Sequence, residues 1–204
     1  AEAYQNQGTA AGLAGQFALA MRALRAAHSC FASVNGERHV TTQTAMLLQG
    51  QLLTSWSRLK ADATALDRAD GLLNSVCKGL TDEVGPDSHL TGTSLAAWSR
   101  VRCLQLQPTE AVQLATQSLQ CCEARLGADN PTVIYTRWAL AEAFAEAGRT
   151  SEARDHALRA LSATEKAYGP EHFEVGGMLE TLGRIAHREG KHHEAEEFLR
   201  RCLT

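Results

Sequence analysis

Across 204 residues the chain carries a formal net charge of −3, with aromatic residues at only 5% and 4 prolines. That balance offers no basic face to replace the counterions of nucleic acid, and no apolar run approaches the ~20 residues that span a bilayer. Abundant Ala and Leu with so few aromatics is a helical composition, with small residues where helices approach closely.

In chain order, the first segment places Tyr4, Gln7, Gly8 and Ala11 on one helical face, a turn at Gly15, and Ala20, Leu24 and Ala27 on a second helix. Residues 9–20 are apolar but short and follow no basic stretch, so they do not read as a signal peptide. The second segment repeats the pattern with Ala45, Leu48, Gln49 and Leu52, then Ala69, Leu73 and Val76. Fitting it requires about eight extra residues around Ser57–Thr64, in longer helices or in a longer loop.

From there the chain keeps strict time. Gly85-Pro86-Asp87-Ser88-His89 is answered by Gly127-Ala128-Asp129-Asn130-Pro131 and by Gly169-Pro170-Glu171-His172-Phe173, each 42 residues on. Glu110-Ala111, Glu152-Ala153 and Glu194-Ala195 hold the same interval, as do Leu119, Leu161 and Leu203. The third segment reads Leu95, Trp98, Ser99 and Arg102, then Ala111, Ala115 and Ser118, with Pro108 opening its second helix. The fourth reads Arg137, Leu140, Ala141 and Phe144, a turn at Gly148, then Ala153, Ala157 and Ala160; only Arg137 is out of character. Its second helix is predicted to run to about Tyr168 and to end at Gly169-Pro170, since Gly accepts a left-handed cap and Pro cannot continue a helix. The fifth reads Leu179, Leu182, Gly183 and Ala186, a turn at Gly190, then Ala195, Leu199 and Cys202.

A fixed period of this size marks a stacked-repeat protein, in which each unit buries its apolar face against its neighbours. Counted from Gly176, Leu179, Leu182, Gly183, Ala186, Ala195, Leu199 and Cys202 fall at positions 4, 7, 8, 11, 20, 24 and 27, a series that resembles the tetratricopeptide repeat (TPR), with Ala186 and Cys202 in place of the commoner residues at 11 and 27. The 42-residue spacing, with a Gly-Arg/Lys-x-x-Glu-Ala turn, is similar to the TPRs of kinesin light chains, well over 85–204 and loosely over 1–84. A more distant likeness is to the helical C-terminal domain of SET- and MYND-domain lysine methyltransferases. The resemblance implies an all-α, right-handed α-α superhelix of about five helix pairs. The expected organisation is one array over 1–204, with repeats near 1–36, 42–84, 92–127, 134–169 and 176–204, as a fragment of a longer protein.

The resemblance also implies a concave face formed by the first helices, with positions 2, 5, 9, 12 and 13 turned inward. Those positions select Arg100, Tyr135, Trp138, Glu142, Glu180, Arg184, His187 and Arg188 as the candidate peptide-binding set. Tyr, Trp and Arg dominate binding hot spots, and arginines can take carboxylates of an acidic peptide bidentately. Against this, Trp138 at such a position could instead fill the seam between adjacent first helices. A chaperone-tail carboxylate clamp is not expected, because Ala96, Arg100, Trp138 and Glu142 occupy its positions.

No catalytic constellation stands out. His187, His192 and His193 lack an H-E-x-x-H arrangement, and no phosphate loop or nucleophile elbow is present. The six cysteines form no C-x-x-C pair, so they read as small buried hydrophobes in a reducing, cytoplasmic compartment rather than as a metal site. The expected function is a non-enzymatic scaffold or adaptor with no cofactor and no metal, whose partner is a protein or peptide with acidic and aromatic residues. Alternative expectations are an accessory domain of a larger enzyme and a self-association module that forms a homodimer through its terminal repeats.

Overall fold

The 42-residue markers are helix boundaries. Ser88, Asn130 and His172 each precede a first helix in extended backbone. Each side chain accepts a hydrogen bond from the backbone N–H two residues on, at 3.3, 2.9 and 3.4 Å. Such caps satisfy a donor that the helix itself leaves unpaired. Three residues upstream, Gly85, Gly127 and Gly169 end the preceding helix at φ 88°, 78° and 90°, a left-handed region that a Cβ disfavours.

A computed structural model describes residues 1–13 and 15–203; Thr204, the expected end of the fifth unit, lies outside them. Among the described residues there are ten helices and no strands. They are α1 (Glu2–Leu13) with α2 (Phe17–Asn35), α3 (Val40–Lys60) with α4 (Ala63–Val84), and α5 (His89–Leu104) with α6 (Pro108–Leu126). The remaining pairs are α7 (Pro131–Glu146) with α8 (Thr150–Tyr168) and α9 (Phe173–Arg188) with α10 (His192–Cys202). Each helix packs on the next. In addition the first helices touch one another across pairs, α1 to α3 to α5 to α7 to α9, whereas the second helices do not. One layer closely spaced and the other spread apart is the geometry that curves a stack, and it leaves the first helices on the concave side.

The small residues of the pattern sit where the helices cross. Ala111, Ala115, Ala153, Ala157 and Ala160 are fully buried, alongside Leu73, Leu179, Leu182 and Ile185. Each such large side chain contributes about 1.5–3 kcal/mol on burial. Arg137, the apparent misfit, is buried as well. Its guanidinium donates to Glu123 of α6 at 2.6 Å, so an ion pair replaces the usual large apolar residue at that position. Trp98 donates its indole N–H to Asp70 of α4 at 2.8 Å, and Trp56 stacks on Phe17 at 4.2 Å between ring centres.

In the second pair the structure decides between the two alternatives for the additional residues and corrects the register. Its additional residues lengthen the helices rather than the loop: α3 has 21 residues against 16 in α5, α7 and α9, and α4 has 22 against 19 in α6 and α8. Its first-helix register also lies one residue later than the apolar pattern suggests. Gly50, not Gln49, takes the small position opposite Leu73, where an added Cβ would come within 2.5 Å of that side chain. Gly8 opposite Leu24 and Gly183 opposite Leu199 make the same close crossing in the first and fifth pairs. A Cβ at any of these glycines would press on the leucine side chain that crosses it, and this contact marks the register more clearly than Leu48 and Leu52 do.

Candidate functional site

The concave layer encloses a groove of about 830 Å³ bounded by α3, α5, α7 and α9. Its polar floor is a ladder: Arg58, Arg100, Glu142 and Arg184 lie 42 residues apart and all line it. The ladder survives the longer second pair because its glycine caps, Gly36 and Gly85, stand 49 apart. Along α3, Arg58 lies seven residues, nearly two full helical turns, beyond the groove-lining Gln51 and so shares its face.

At the centre stands Arg100. Its Nε lies 2.7 Å from Glu142 Oε2, and its guanidinium sits over the Trp138 ring, 4.6 Å from the ring centre. Burial works against its charge, but Glu142 and Tyr135 outweigh that effect and raise its pKa, so it stays protonated. Glu142 is only 6% exposed, and Arg100 is its nearest ion-pair partner. The Tyr135 hydroxyl faces Gln51 across the groove at 3.5 Å. Cys103 lines the same wall with its thiol pushed up to about 12, by burial first and then by Glu142 and Glu146, so it carries no thiolate at neutral pH.

The sequence-selected residues divide into three groups. Arg100, Tyr135, Trp138, Glu142, Glu180 and Arg184 do line one groove. Trp138, however, is not an open anchor. It is 9% exposed, its indole N–H donates to Thr181 of α9 at 3.0 Å, and its ring lies so close to Gly177 that a Cβ there would be 2.8 Å away. It fills the seam between adjacent first helices. Arg188 stands at the groove's edge, donating to the Ala145 carbonyl and, at 2.7 Å, to Glu146. His187 lies elsewhere. Its ring is 5.2 Å from His192, beside a hollow lined by Ala195, Leu199 and Leu203.

Two contributors were not selected from the sequence. Arg58, in the last turn of α3, lines the groove and reaches Glu142 and Glu180 at 3.8 Å each. Counting 42 back from Arg100 would have found it. Phe173, at 63% exposure, lines the groove from the first position of α9, its ring tilted against that of the cap His172 at 4.6 Å between centres. Among the described residues no group of three or more His, Cys, Asp or Glu side chains is placed to hold a metal ion, and no helix is long and apolar enough to cross a membrane.

A family model of the tetratricopeptide repeat matches residues 90–166 and 139–204, together more than half of the chain. The chain belongs to the tetratricopeptide repeat family. Its fold is shared by a Podosopora anserina protein of nearly identical TPR-like repeats that carries the kinesin light chain name. That protein is 18% identical at a TM-score of 0.66, over 99% of this chain and 92% of that one. BtubC (BKLC) from P. vanneervenii is 14% identical at 0.67, over 96% and 75%. RapI in its apo form is 14% identical at 0.51, over 98% and 51%. Likeness at these identities is one of fold. No curated protein matches significantly. TPR arrays are commonly protein-interaction scaffolds.

Proposed function

We propose that the chain is a non-enzymatic adaptor that binds an extended or helical peptide along its TPR groove, between residues 93 and 188. The observation that supports this most is the groove itself. It runs across four first helices and combines the partly open rings of Tyr135 and Phe173 with the guanidiniums of Arg58, Arg100 and Arg184. Exposed aromatic surface supplies apolar contact and the arginines select for acidic side chains. Peptide recognition of this kind suits a partner with aromatic and acidic residues. Six unpaired cysteines fit a reducing, cytoplasmic setting.

A peptide-array experiment tests the reading. Tyr135→Ala and Arg184→Ala, each checked for helicity, are expected to lose peptides that the parent chain retains. Equal binding by parent and both variants places the ligand elsewhere. Trp138→Ala is unsuited to this test because it opens the α7–α9 seam. A second reading, self-association, is supported by the exposed side chains of Leu199 and Leu203. Light scattering over a concentration series tests it, with Leu199→Glu expected to hold the chain monomeric.

A further inference from the structure

The ion pairs of the groove are unequal. Glu142 is held by Arg100 at 2.7 Å and Glu146 by Arg188 at 2.7 Å. Glu174 lies in the first turn of α9, where the helix dipole favours a carboxylate. These three carboxylates are provided for. Two cations are held more loosely. Arg58 stands 3.8 Å from Glu142 and 3.8 Å from Glu180, beyond hydrogen-bonding distance of both. Arg184 reaches Glu146 only at 3.5 Å, and its Nε is buried without a hydrogen-bond partner among the described residues. The groove lining, three arginines and four glutamates, therefore has its loosest ion pairs at Arg58 and Arg184.

Arg58 also has a distinctive position. The backbones of α3 and α9 make no contact, nor do those of α3 and α7. The side chain at the end of the longer α3 is thus a connection across the groove's opening, spanning from the second pair to the fourth and fifth. Arg58 and Glu180 are both nearly half exposed, and exposed pairs of this kind are weak and screened by salt.

We propose that Arg58 is a displaceable latch. At rest it draws α3 toward Glu142 and Glu180, and an acidic peptide opens the groove by taking its guanidinium onto a ligand carboxylate, with Arg184 as the second cation. This rests on the reading of the groove as a peptide site. The exchange is favourable because two loose contacts give way to a bidentate charge-assisted pair. Glu142 keeps Arg100, and Glu180 is exposed enough to be solvated. The ligand thereby shifts a resting equilibrium by its differential affinity for the open state.

Donor and acceptor fluorophores introduced through non-canonical amino acids at Leu59 and His193, both exposed, would report the opening. Arg58→Ala is expected to lengthen and broaden the distance in the free chain, and Arg58→Lys to preserve it. Raising salt should lengthen it in the parent but leave Arg58→Ala unchanged. A glutamate-rich peptide should lengthen it in the parent, and Arg58→Ala should bind that peptide on the order of tenfold more weakly. Arg184→Ala should weaken binding while leaving the resting distance as it is. An Arg58→Ala chain with the parent's distance at every salt concentration overturns the latch. So does a parent chain that binds the peptide without lengthening, in which case the groove reading survives. A parent chain that binds no acidic peptide overturns the ligand exchange and the acidic-peptide reading together, while the salt series still decides whether Arg58 closes the groove.

Discussion

The third to fifth helix pairs and the second pair are built on the same crossing yet differ in length, and the difference separates what a TPR must keep from what it can change. In every pair a small residue lies where the helices meet, whether Ala141, Gly183 or Gly50. In the fourth and fifth pairs the chain turns between helices at Gly148 and Gly190, with φ near 75°. In the second and third pairs Ala61 and Leu106 take that place at φ 52° and 59°. The crossing is constrained on both sides by close-packed neighbours. The turn faces solvent, so helix length and turn residue there vary at small cost. In α3 that freedom carries Arg58 out over the groove.

The largest effect that tests this comparison is in the crossing. Leu73→Ala removes a fully buried side chain opposite Gly50 and should cost about 2–5 kcal/mol in urea unfolding. Leu199→Ala, at the matching crossing of the fifth pair but 43% exposed, should cost on the order of 1 kcal/mol. Equal costs would break the claim that neighbouring pairs, rather than the motif position, set the energetics.

An intermediate effect probes the seam between the regular pairs. Arg154 of α8 holds Glu189 at 2.7 Å and Glu194 at 2.7 Å, and its hydrogen bonds keep both carboxyls below their ordinary range. A depressed carboxyl pKa contributes stability that is present above the unfolded value near 4.5 and is lost as pH falls through the folded value. Arg154→Ala should therefore lose about 1–3 kcal/mol at pH 7 and show a flatter acid limb below pH 4.5. An unchanged acid limb would remove Arg154 as the cause.

The smallest effect lies at the turn. Ala61→Gly should raise stability by about 0.5 kcal/mol, as relief of a left-handed residue outweighs the entropy that Gly adds to the unfolded chain. A loss of stability would show that the Ala61 turn is not the counterpart of Gly148.

Much of the fold was legible because repeat proteins write their packing locally. Gly85, Gly127 and Gly169 at one interval, with Ser88, Asn130 and His172 three residues on, state where helices stop and start. Apolar spacing failed in α3, where Leu48 and Leu52 suggest a face that the Gly50–Leu73 crossing overrides by one residue. It failed there because a contact across helices, not a period within one, chooses the register. The groove was legible in part. The inward positions of the third to fifth pairs gave Arg100, Tyr135, Glu142 and Arg184, but an inward position does not say whether a side chain is open or filled. Trp138 was placed correctly on the face, yet it is enclosed by Gly177 and Thr181 of the neighbouring helix.

By itself the sequence determined the helical repeat, its glycine-marked boundaries and the small residues at every crossing but the second. Each of these depends on residues within one unit or one interval of it. Only the tertiary structure decided which charges of the concave face are held tightly and which loosely. Arg58 meets Glu142 and Glu180 through the curvature of the stack, and curvature is a sum over several interfaces that no single stretch of chain records.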